Sequence, residues 1–318
     1  MSESEQWGLG QFESPDGGRP DEEAAVVAGD AGQSVSEVVD AADLKFPDSE
    51  GVVRMKVSQV DYTIEGSGAE EYPVVHVFGR TAGNEPEHVR VLGVEPYFYV
   101  PTENVANRAL TEEYDAILDT RTEDPSGERF ESIRGEPLTK VIGRTPRDVG
   151  QMRDDFEEHY EADILFPNRF LIDKDVSAGL QVPERRLEDD RIQVRYDDEE
   201  LVAVDAPTEA DLRVNTFDIE VDDRSGFPED GEEPIVCLTS HDSYDDEYVV
   251  WLFDAPDAEV DAPEVLDEYE QIADSGDVEV RVFDEEPAML DAFVEYVEKT
   301  NPDVLTGWNF EDFDMPYV

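Results

Sequence analysis

The chain has 318 residues, enough for two domains that each bury a core, and it sets 83 Asp and Glu against 24 Lys and Arg for a formal net charge of −59. A single cysteine, Cys237, excludes an intrachain disulfide, and no apolar run approaches the roughly 20 residues of a membrane span. The hydrophobic share of 39% falls in periodic runs, which excludes a wholly disordered acidic chain.

With five lysines among those cations, the composition predicts a folded, carboxylate-coated protein adapted to concentrated salt. There a Debye length of about 3 Å at 1 M screens self-repulsion. The N-terminus MSESEQWGLG has neither a basic start nor an apolar core, so no secretory signal is read, and the chain is expected to be soluble and cytoplasmic.

Residues 1–50, rich in Gly, Ser, Asp and Glu, are predicted to form a disordered acidic tail. Within it, Gln6–Phe12 (QWGLGQF) resembles the short peptides with which replication proteins dock on a sliding clamp, although Glu13 stands where a second aromatic is usual. From Val52, three β-branched and aromatic runs separated by polar breaks predict an antiparallel meander. LTKVIG adds a strand. Thr145 then reads as a helix N-cap with Pro146 at the first helical position, and Val149, Met152, Phe156 and Tyr160 mark one face. Residues 51–205 are therefore expected to be an α+β domain.

A second domain is expected over 206–318. RVNTFDIEV, PIVCLTSH, EYVVWLF and VEVRVF predict strands, with Cys237 as a small core residue of the second. A helix follows from about Glu285 to Lys299, with Asp284 as N-cap, and DVLTGW is a last short strand. The order implies a mixed sheet flanked by helices, an α/β arrangement.

Alternation along NTFDIEVDD puts Asp218 and Glu220 on one face and Phe217, Ile219 and Val221 on the other. Such a pair is either the exposed face of a strand in an acidic protein or half of a divalent-metal site that needs a third acid. Asp314, just beyond the strand that ends at Gly307–Trp308, is in a position to supply it.

FDIE at 217–220 and GWNFEDFDMPY at 307–317 resemble the first two exonuclease motifs of family B DNA polymerases, in which the second reads approximately GYNxxNFDxPY. Trp308 and Asp312 depart from that pattern. EPYFYV at 95–100 and ILFPNRFLIDKDV at 164–176 resemble the same family's N-terminal domain and its lead into the exonuclease domain, and the acidic composition makes the chain look like a halophilic archaeal version.

The resemblance implies an RNase-H-like 3′→5′ proofreading exonuclease built into a DNA polymerase. Asp218, Glu220 and Asp314 would be its catalytic and metal-binding acids. Asn309 and Phe313 would contact the DNA strand, and two Mg²⁺ ions, with Mn²⁺ as a substitute, would clamp the scissile phosphate. It also implies that Pro96 and Tyr97 belong to a pocket sensing uracil in the template. A further Tyr and Asp of the family's exonuclease site, and every polymerase motif, would follow residue 318. The chain is thus expected to be the front portion of a polymerase, inactive alone. A free-standing exonuclease and a non-enzymatic acidic interaction protein stay open as alternatives.

Overall fold

The computed structural model describes residues 34–42, 44–222, 224, 233–255 and 277–318. Gln6–Phe12 lies outside the described residues. Within the stretch expected to be disordered, helix α1 (Val35–Ala41) is instead folded and capped. Ser34 accepts the Glu37 N–H while Glu37 reaches back to the Ser34 N–H, a reciprocal capping box. Val38 and Val39 pack with Tyr72, Val74 and Leu92, so apolar burial offsets the cost of ordering so short a helix.

Strands β1 (Val52–Glu65), β2 (Tyr72–Thr81) and β3 (Pro86–Leu92) form the antiparallel meander. They are completed by β7 (Gly179–Pro183), β8 (Ile192–Arg195) and β9 (Val202–Val204), in the order β8-β3-β2-β1-β7-β9. The sheet is not purely antiparallel, because β8 runs parallel to β3. Its core joins Met55, Val75, Val91, Leu180 and Ile192 to Phe166 and Phe170 of the helix Phe166–Asp173.

Between β3 and β7 the chain builds a separate lobe. Strands β4 (Tyr97–Pro101), β5 (Ile117–Arg121) and β6 (Leu138–Gly143) make a three-stranded sheet around Phe98, Val141, Met152 and Phe156. The helix after it has the expected Thr145 cap and Pro146 but stops at Met152. Asp154, Asp155, Glu157 and Glu158 follow, and negative charge at a helix C-terminus opposes its dipole. Tyr160 pairs through its backbone with Tyr99 instead of extending the helix.

The second large sheet runs β13-β12-β11-β10-β14. Its strands are β10 (Val214–Val221), β11 (Ile235–Asp242), β12 (Glu247–Phe253), β13 (Asp277–Phe283) and β14 (Val304–Thr306). β12/β13 and β10/β14 are parallel and the other pairs antiparallel, so the sheet is mixed, as predicted. The long helix Glu286–Thr300 lays Met289, Phe293 and Tyr296 on it, with Phe293 edge-on to Phe217 and Trp251 at 5.2 and 5.3 Å. Glu285, not Asp284, holds the N-cap position and makes no side-chain cap bond. Asn301 ends the helix in the left-handed conformation (φ 46°), which turns the chain directly into β14.

Candidate metal-dependent nuclease site

β10 alternates as its sequence requires: Phe217 and Ile219 are buried and Asp218 and Glu220 are exposed on the opposite face. The β11 register sets Thr239 opposite Asp218 and Cys237 opposite Glu220. Cys237 is therefore half-buried on the carboxylate face, while Ile235 and Leu238 fill the core in its stead. Burial, then the charges of Glu220 and Asp218, push its thiol up to about 11. The β10–β11 register slips immediately after Glu220, and a bulge of that kind re-aims side chains beside a site.

The second motif is placed by a close backbone approach. A Cβ at Gly307 would collide with the Phe217 carbonyl oxygen, so only glycine lets the end of β14 lie against β10. Asn309 follows, exposed and left-handed (φ 37°), and its carbonyl accepts the Phe313 N–H at 2.9 Å. Residues Phe310–Asp314 form one π-helical turn, a widened geometry frequent at functional positions. Phe310 meets Phe217 edge-on at 5.2 Å, and Phe313 is half-buried against the same core.

That turn carries Asp314 inward. Its side chain is 2% exposed and accepts the Ile219 N–H, while Oδ2 has no hydrogen-bond partner. Burial first, and the neighbouring charge of Asp218 second, hold its carboxyl above the usual carboxylate range. A buried oxygen without a partner is costly unless something cationic fills the gap. Among the described residues, no Lys, Arg or His forms an ion pair with Asp218, Glu220 or Asp314.

An all-carboxylate donor set suits a hard divalent cation such as Mg²⁺ or Mn²⁺. Among the described residues, no three His, Cys, Asp or Glu side chains stand close enough to enclose an ion. Mg²⁺ does not need such an enclosure, since it is commonly held by one or two carboxylates with waters and phosphate completing its shell.

Pro96 and Tyr97 lie elsewhere, in the small lobe, and both are buried. The Tyr97 hydroxyl donates to Asp173 (2.8 Å) and accepts from Arg169 (3.2 Å). Lys140 and Arg169 sit 3.7 and 4.3 Å from its ring centroid. Tyr97 thus occupies a packed and hydrogen-bonded position.

The family described as DNA polymerase family B, exonuclease domain, matches residues 157–318. The chain belongs to the family B DNA polymerases. Over 316 residues this family B chain is 24% identical to the DNA polymerase delta catalytic subunit of Schizosaccharomyces pombe, covering 86% of itself and 27% of that protein. It is 36% identical over 119 residues to the DNA-directed DNA polymerase of Escherichia phage RB69, covering 34% and 13%. With the DNA polymerase of Archaeoglobus fulgidus it shares 25% over 235 residues, covering 70% and 25%. The solved family B DNA polymerase from the hyperthermophilic archaeon Pyrobaculum calidifontis shares its fold at a TM-score of 0.57 and 24% identity, across 83% of this chain and 31% of that one. The chain thus spans about a quarter of the length of several of its relatives.

Sequence reasoning missed Asp303 and Arg213, which anchor the ends of β14 and β10. Asp303 Oδ2 accepts the Arg213 N–H at 2.8 Å. The signal available was the lone Asp between helix and strand in NPDVLT.

Proposed function

We propose that this chain carries the metal-holding acids of a 3′→5′ proofreading exonuclease within a replicative DNA polymerase. The observation that supports this most is the buried, partnerless Oδ2 of Asp314, set beside the backbone of a strand that projects Asp218 and Glu220. Asp218, Glu220 and Asp314 are the residues that would hold Mg²⁺. Bound there, divalent ions supply Lewis-acid chemistry at a phosphodiester. Asn309, exposed at the mouth of the second motif, and half-buried Phe313 would contact and orient the DNA strand. Buried Ile219 and Phe217 fix the spacing of the acids and keep water out of the sheet beneath them.

The partner is DNA, met by a chain of net charge −59. At low ionic strength that charge repels a polyanion, whereas at molar salt both the repulsion and the counterion-release gain shrink. Binding then rests on divalent ions, aromatic stacking and arginine, whose fork suits phosphate. Docking of Gln6–Phe12 on a sliding clamp and uracil sensing near Pro96 and Tyr97 belong to this same reading of the parent polymerase.

The test is release of nucleotides from a mismatched 3′ end by the polymerase containing this chain. Asp218→Ala is expected to lower that rate by about 10³-fold or more, several kcal/mol of lost transition-state stabilisation, with primer extension retained. Activity of the unaltered enzyme should hold or rise toward molar KCl. Unchanged nucleotide release in Asp218→Ala would remove the proposed site, and a steep loss with KCl in a folded enzyme would remove the salt adaptation.

A further inference from the structure

The start of both site-bearing strands is held by a residue from the other large sheet. Arg80, on β2 and 3% exposed, donates through Nε to Asp303 Oδ2 (2.8 Å) and through Nη2 to the Asn301 carbonyl (2.6 Å). Its third nitrogen, Nη1, donates to the Asn84 carbonyl at 3.1 Å. The same Asp303 oxygen accepts the Arg213 N–H at 2.8 Å, and the Arg213 carbonyl accepts the N–H groups of Asp303 and Val304. One carboxylate oxygen therefore ties together Arg80, the residue preceding β10 and the residue preceding β14.

Those two strands lead to the three acids of the proposed site. β10 leads to Asp218 and Glu220, and β14 leads through Gly307 to Asp314. β14 is the edge strand of its sheet and makes only three register pairs with β10: Val214 with Val304, Asn215 with Leu305 and Thr216 with Thr306. So short a parallel edge has little of its own to resist sliding, and a slip of one residue would turn its side chains to the other face. The guanidinium fork is rigid and each of its three nitrogens is bonded, so it can fix a position as well as neutralise a charge.

We propose that Arg80 is a positioning residue for the exonuclease site: by clamping Asn301 and Asp303 it sets β14 against β10 and thereby Asp314 against Asp218. The inference rests on the metal-site reading above. It assigns to the N-terminal sheet a part in the nuclease chemistry, exerted from outside the exonuclease sheet.

Arg80→Lys keeps the charge but cannot make the three fork contacts, and Arg90→Lys is the matched control. Arg90 is a similarly buried arginine (7% exposed), on β3 of the same sheet, bonded to Gln193 and Glu65 and not to the exonuclease sheet. Two measurements are made on the full 318-residue chain. One is Mn²⁺ affinity, by loss of the free-ion paramagnetic resonance signal. The other is hydrogen exchange of the Val304–Thr306 amides. Arg80→Lys should weaken Mn²⁺ binding by about tenfold, the lower end of what outer-shell changes cost a metal site, and should speed exchange in β14. Arg90→Lys should leave both as they are in the unaltered chain. Equal effects of the two substitutions would reduce Arg80 to general stability and overturn the proposal, as would an unchanged β14 in folded Arg80→Lys. If the unaltered chain binds no Mn²⁺, its three acids do not hold the ion by themselves, and the exchange rate of β14 alone decides whether the clamp exists.

Discussion

The two ends of the exonuclease sheet treat buried carboxylates in opposite ways. At the end where β10 and β14 begin, Asp242 and Asp303 are 0% and 9% exposed by side chain, and each has an arginine at 2.8 Å. Asp242 also accepts the N–H groups of Tyr244 and Asp245. At the end where those strands finish, Asp314 is as deeply buried, with one oxygen bonded to a backbone N–H and the other to nothing. One end has its countercharges in place, and at the other no arginine or lysine among the described residues faces the buried carboxylate. Buried charge reports on structure where its partner is built in, and on function where the partner has been left out.

Substitution at each end should therefore give opposite signs. Asp242→Ala leaves the Arg213 guanidinium with only exposed Asp245, and it should cost about 3 kcal/mol, the lower end of what breaking a buried pair costs. Urea unfolding followed by tryptophan emission measures it. Asp314→Asn, in chelator at pH 7.5, should instead raise stability by about 1 kcal/mol, because it removes a buried charge that has no cation. A destabilisation equal to that of Asp242→Ala would erase the contrast between the two ends.

Acid sharpens the comparison. The folded Asp314 carboxyl titrates above its ordinary 3.8, so the folded chain binds its proton more readily than the unfolded one. Its penalty is absent below that ordinary value and appears as pH rises through the folded one, so the advantage of Asp314→Asn should vanish toward pH 4. An effect of opposite sense comes from the first large sheet, where His76 Nδ1 and His88 Nε2 are 2.8 Å apart. Burial and then the neighbouring His76 lower His88 from 6.5 to about 4. The unfolded state therefore takes up a proton first, and stability is lost as pH falls from 6.5 toward 4. His88→Gln should flatten that part of the stability–pH curve. An unchanged curve would mean the histidine pair is not its source.

The readable parts of this chain were those governed by local period. β10 to β13 show strand alternation or continuous apolar runs, and the Asp218/Glu220 pairing follows from geometry alone. Thr145-Pro146 announced a helix start through cap chemistry. Helix α1 was equally local, since Ser34 and Glu37 spell a capping box ahead of Val38 and Val39, but seven residues are too few to show a period. Asp314 could be placed beyond a strand end, yet its inward turn depends on a π-helical geometry that no spacing encodes. Cys237 joined the carboxylate face because of the β10–β11 register. The Arg80–Asp303 contact joins residues 223 apart and left no local trace.

The route of the chain through the first large sheet also has a consequence for synthesis. β3 ends at Leu92, the small lobe intervenes, and the partners β7 and β8 arrive only with Gly179 and Ile192. At ribosomal rates of about 5–20 residues per second, the β1–β3 meander waits roughly 4–17 s with two edges unpaired. Such edges invite pairing with a neighbouring nascent chain. The lobe has its own core and can fold during that wait. A lobe folded early would then shorten the loop that β7 and β8 must close to reach the half-made sheet.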